Sequence, residues 1–70
     1  MSKVYKKVEL VGSSSESLED AIKVALARAR QTLRSLDWFE VKEIRGSLTD
    51  GYVNSYQVTL LVGFRLEEGE

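Results

Sequence analysis

The chain has 70 residues, 30% charged and 43% hydrophobic, with a formal net charge of −1. It contains no His, Cys or Pro, which excludes a disulfide framework, a thiolate or imidazole metal site, and a Ser-His-Asp or Cys-His nucleophile. The near-zero net charge argues against non-specific nucleic-acid binding, and no apolar run approaches the ~20 residues of a membrane span.

Residues 3–12 read as a strand, with Val4, Val8 and Leu10 on one face and Tyr5 and Val11 on the other. Gly12 and the serines at 13–15 break that pattern where a loop into a helix belongs. Residues 17–35 carry the clearest periodicity. Leu18, Ile22, Leu26, Ala29, Leu33 and Leu36 recur at spacings of three or four, and Ala21 and Ala25 widen the stripe. Ser17 is a suitable N-cap and Asp20 stands at the capping-box position, although Asp is shorter than the usual Glu. Acidic residues crowd the start and arginines the end, as the helix dipole favours.

Residues 38–48 and 52–66 form a hairpin around Thr49-Asp50-Gly51. In the last strand Tyr56, Val58, Leu60, Val62, Phe64 and Leu66 share one face, which should meet the helix. The middle strand changes phase between Phe39 and Val41 on one side and Ile44 and Leu48 on the other, predicting a β-bulge near Lys42-Glu43. The fold class is therefore α+β: strand, helix, strand, strand in one domain, 1–70. The helix returns the chain, so a fully antiparallel sheet needs the last strand in the centre, order 1-3-2.

A core this small is marginal, and with disulfides and metals hard to build, oligomerisation becomes the leading expectation. The lengths agree. The last strand spans roughly 50 Å when extended and the helix only about 28 Å, so part of the hairpin must overhang. An overhanging apolar hairpin is a hazard in a monomer and a natural interface in a closed oligomer. The first residues lack the apolar core of a signal peptide, and the absence of Cys is compatible with a cytoplasmic protein.

Candidate functional residues are few. Trp38 is the sole Trp and points away from the helix; Gln57 lies on the same outward face. Pairing across the turn sets 38 opposite about 63 and 57 opposite about 44, so within one chain Trp38 and Gln57 stand several residues apart. A symmetry mate or a ligand could join them. An aromatic platform with an amide that both donates and accepts suits a planar heteroaromatic ring; the competing reading is a Trp packed in an interface and a solvated Gln. Arginines 28, 30, 34, 45 and 65 could hold phosphates, or form solvated faces and inter-subunit ion pairs. Glu40 and Glu43 have no partner base, so an acid–base role is rejected. Gly46 and Gly63 mark close strand approach or bending.

Val4-Tyr5-Lys6-Lys7-Val8-Glu9-Leu10-Val11-Gly12, Leu36-Asp37-Trp38-Phe39-Glu40-Val41, Arg45-Gly46, Tyr56-Gln57-Val58-Thr59 and Val62-Gly63-Phe64-Arg65-Leu66 together closely resemble a bacterial dodecin, in order and at the right spacing. The resemblance implies a flavin-binding homododecamer, a hollow sphere with cubic symmetry. It implies flavins stacked in pairs at two-fold axes between Trp side chains of symmetry-related subunits. Trp38 occupies the stacking position and Gln57 the position that meets the polar edge of the flavin ring. Arg45 matches a basic residue at the flavin site, with Asp37 beside the Trp. FMN is the flavin that bacterial members generally favour, with riboflavin the alternative. Some members also bind coenzyme A, for which Arg28, Arg34, Arg65 and Lys6 are the candidates here. The implied role is storage and photochemical quenching of flavin, without catalysis, nucleic acid or membrane. A flavin-dependent reductase and a structural cage without flavin are the alternatives.

Overall fold

The computed structural model of the chain describes residues 2–67; the ends of the expected 1–70 domain, Met1 and residues 68–70, lie outside the described residues. The elements follow the expected order: β1 (Tyr5–Ser14), α1 (Leu18–Thr32), β2 (Leu36–Thr49) and β3 (Tyr52–Arg65). The three strands form one sheet in the order β1-β3-β2, antiparallel throughout.

The two-faced pattern of β3 puts it in the middle. Val58, Leu60 and Val62 are 0–1% exposed and meet the helix. The helix buries its expected stripe most deeply at the alanines. Its buried residues are Ala21, Ala25 and Ala29, while Leu18, Ile22 and Leu26 are partly buried beside them. The cause is close approach. A Cβ added at Gly12 on β1 would collide with the Ala21 carbonyl oxygen and the Ala25 side chain, so glycine and the alanines let helix and strand touch almost backbone to backbone.

That approach also explains why β1 does not end at Gly12. It pairs with β3 through Ser13↔Gln57 and Ser14↔Tyr56. The chain turns only after Ser14, whose hydroxyl accepts from the Glu16 amide at 2.9 Å and donates to the Asp20 carboxylate at 2.7 Å. Ser17 caps α1 as expected, accepting from the Asp20 amide at 2.9 Å. The Asp20 carboxylate is bonded to Ser14, so the capping box stays half closed. The helix ends at Thr32, three residues before the expected end, because the backbone at Leu33 is extended and Ser35 takes a left-handed conformation at φ 58°.

The hairpin turns through Asp50 and Gly51, with φ of 52° and 83°. Two left-handed residues match the right-handed twist of the flanking strands. The register shifts between Val41 and Glu43, where the phase change predicted it, and also between Leu36 and Trp38 and between Ser47 and Leu48.

The helix packs chiefly on β1 and β3. Phe39, Val41 and Ile44 of β2 pair with Val62, Leu60 and Val58, so they share the helix-side face, yet they are 43–57% exposed. The molecule measures 53 × 20 × 15 Å. A 15-residue helix covers about 22 Å of that length, so the hairpin overhangs it even further than expected.

Candidate functional site

Three strands build a platform around Trp38 on the sheet face opposite the helix. Strand β2 supplies the Trp, directly across from Gly63 of β3. The indole lies on Gly63: a Cβ there would collide with the ring carbons of Trp38. Strand β1 supplies Tyr5, whose ring meets the indole edge-on at 5.2 Å between centroids and 66° between planes. The indole N–H donates to the Glu40 carboxylate, two residues along β2, at 3.0 Å. Lys7 of β1 bonds the same carboxylate oxygen at 3.1 Å. Trp38 retains 37% of its surface exposed.

The hydrogen bond from Trp38, and after it that from Lys7, hold the Glu40 carboxyl below the usual glutamate range. Both favour the ionised form, because each donor loses its acceptor's negative charge on protonation. Glu40 is thus more than a solvated surface carboxylate. It anchors the indole. The signal for this lies in the two-residue spacing, which puts 38 and 40 on one face of a strand.

The second expected component sits elsewhere on the same face. Arg45 Nε donates to Gln57 Oε1 at 2.8 Å, between residues directly paired in the sheet. The expected opposition of Gln57 to residue 44 is thus displaced by one, through the register shift at Ser47/Leu48, and the bulge at Val41/Glu43 undoes the displacement before Trp38. Trp38 pairs with Gly63 as expected. Positions 57 and 63 are six steps apart on β3, about 20 Å along an extended strand. A single chain therefore presents a platform and an amide–guanidinium pair, and does not bring them together.

Asp37 lines a hollow on the other side of the Trp, with Leu26, Arg30, Leu36, Phe39 and Val62. Of the residues expected to meet an anionic ligand, Arg34 and Arg65 share a hollow with Phe64 at the end of the sheet. Arg28 lines a different one, between α1 and β1, beside Gln31. Lys6 lies opposite Phe64 on β1 and lines neither of these hollows. Among the described residues no helix is long and apolar enough to cross a membrane, and no acidic cluster could hold a metal ion.

The chain is thus a small α+β unit with one helix on a three-stranded sheet, an aromatic platform on the opposite face and an uncovered apolar strand. The sequence pattern of the Dodecin family matches residues 4–67, and the chain belongs to that family. The dodecin of Thermus thermophilus is 72% identical over 68 residues, covering 97% of this chain and 99% of its own. The crystal structure of the tt0972 protein from Thermus thermophilus superposes with a TM-score of 0.91 at 72% identity, covering 96% of this chain and 98% of that one. The dodecin from Streptomyces davaonensis gives the same TM-score of 0.91 at 48% identity, over 97% and 100% of the two chains.

Proposed function

We propose that this chain is a flavin store: it holds FMN, or riboflavin, against Trp38 and suppresses the flavin's photochemistry, in the cytoplasm. The observation that carries the reading is the Trp38 platform, an indole laid on Gly63 and braced by Tyr5 and Glu40 while still partly exposed. A pre-positioned aromatic surface loses little side-chain freedom when a second ring stacks on it. The residues fit a flavin. Trp38 offers a ring face, and Gln57, whose oxygen is engaged by Arg45, offers amide donors for ring carbonyls.

The separation of Trp38 from Gln57 along one sheet supports a site completed between chains. In this reading a homododecamer brings the platform of one subunit to the Arg45–Gln57 pair of another, and flavins stack in pairs between two indoles. Asp37 borders the platform from its helix side. When bound, the flavin supplies a light-absorbing redox ring, whose excited state the electron-rich indole drains by a reversible electron transfer. A ring covered on both faces has no approach for a second substrate, so storage is favoured over a reductase. For coenzyme A, the shared hollow of Arg34 and Arg65 is the stronger pair for phosphates, since guanidinium groups bind them in a bidentate fashion. Lys6 lies across the sheet from Phe64, which lines that hollow, and Arg28 lines a separate one.

The test is the native particle. Mass spectrometry and the absorption spectrum of the purified assembly should show twelve chains and a flavin band. A colourless particle that stays colourless after incubation with FMN would refute the store. Release of coenzyme A on denaturation, lost in Arg65→Ala, would assign the second ligand.

A further inference from the structure

We infer that Glu40 is a positioning residue for the proposed flavin platform, its ionised carboxylate fixing the orientation of Trp38. This rests on the flavin reading above and deepens it. A strand Trp on a glycine has a flat support but nothing to fix its rotation about the side-chain bonds. Three contacts supply the missing restraints. Gly63 bars the ring from sinking into the sheet, Tyr5 walls its edge, and Glu40 takes the indole N–H at 3.0 Å. Of these only the last is directional and anionic, and a charge-assisted bond is roughly twice as strong as a neutral one.

Glu40 is in turn held by Lys7 at 3.1 Å from the far edge of the sheet. The order Lys7–Glu40–Trp38 therefore spans all three strands over the strip of β3 that contains Leu61 and Gly63. The other charged groups facing this strip are Glu9, opposite the same Leu61 as Glu40 and paired with Lys42 at 3.0 Å, and Arg65, opposite Tyr5. Glu9 and Lys42 satisfy one another, leaving Lys7 as the cation on Glu40. The carboxylate is ionised at neutral pH, and its hold on the indole loses the charge-assisted part as pH falls through its lowered pKa.

Because Trp38 is the sole Trp, its indole N–H gives one nuclear magnetic resonance signal, readable without any ligand. In the flavin-free protein that signal should shift as pH is lowered through the carboxylate range, with a midpoint below the usual glutamate value. Glu40→Gln should abolish the titration while keeping a hydrogen-bond acceptor. Lys7→Met should keep the titration and raise its midpoint. In FMN titrations Glu40→Ala should weaken binding about fivefold or more, with Glu40→Gln, a neutral acceptor, recovering only part of the loss. A pH-independent indole signal in the wild type, or unchanged FMN affinity in Glu40→Ala, would overturn the assignment. If the indole titrates with Glu40 but the wild type binds no FMN, the anchoring stands and the flavin reading fails. If FMN binds and the indole does not titrate, the reverse holds.

Discussion

At the scale of single residues, the site depends on one large side chain and the absence of another. Trp38→Ala removes the platform. Aromatic contact contributes about 0.5–1.5 kcal/mol beyond the buried area, so with that area lost as well FMN affinity should fall by more than about tenfold. Fluorescence titration of the variant checks this. Gly63→Ala asks the opposite question. The new methyl would collide with the indole, so the ring must lift or rotate. We expect a changed near-ultraviolet circular dichroism band for Trp38 and weaker FMN binding, with far-ultraviolet signal intact. An unchanged band would mean that Gly63 is not the support of the ring. The Trp and the Gly were both legible in the sequence, one as an outward-facing aromatic and the other as a site of close approach. Glu40 was not. Its charge reads as ordinary surface, and only the geometry of the strand shows that it faces the indole N–H.

At the scale of elements, alternation and turn chemistry carried most of the fold. The pattern of β3 gave its central position, and the register set by the Asp50-Gly51 turn, displaced at Ser47/Leu48 and restored at Val41/Glu43, places Trp38 opposite Gly63. The phase change in β2 announced the bulge at Val41/Glu43. What was not legible has physical causes. The serines that extend β1 carry no apolar signal, because their pairing with β3 is a backbone property. Leu33 and Leu36 continue a helical spacing past the end of α1, yet Ser35 between them turns left-handed. The helix stripe was legible with Ala21, Ala25 and Ala29 in it, but not that these small residues would be its most buried part, since they register weakly in hydrophobicity although they permit the closest packing. Gly12→Ala tests that packing. The obstructing atom is backbone, the Ala21 carbonyl oxygen, so helix and strand must part. A loss of about 1–3 kcal/mol is expected from overpacking, measured by denaturant unfolding. An unaffected midpoint would contradict the close approach.

At the scale of the whole molecule, the single chain is incomplete in two ways that meet in one explanation. Phe39, Val41 and Ile44 lie exposed on the side of the sheet that elsewhere forms the core. The platform and the Arg45–Gln57 pair stand too far apart to grip one ring. Neighbouring copies that cover the first can complete the second. Ile44→Asp should therefore break the assembly into smaller species by native mass spectrometry and reduce FMN binding in the same step; an intact particle with full affinity would separate the two. A chain of 70 residues without Cys or His has a marginal core and neither thiol nor imidazole chemistry, and the proposed ligand would supply the redox chemistry its side chains lack. The most direct measurement of that claim is FMN emission during titration with the wild-type protein. The account predicts near-complete loss of flavin fluorescence at saturation, with quenching greatly reduced in Trp38→Ala. Flavin emission that stays undiminished at excess protein would contradict it.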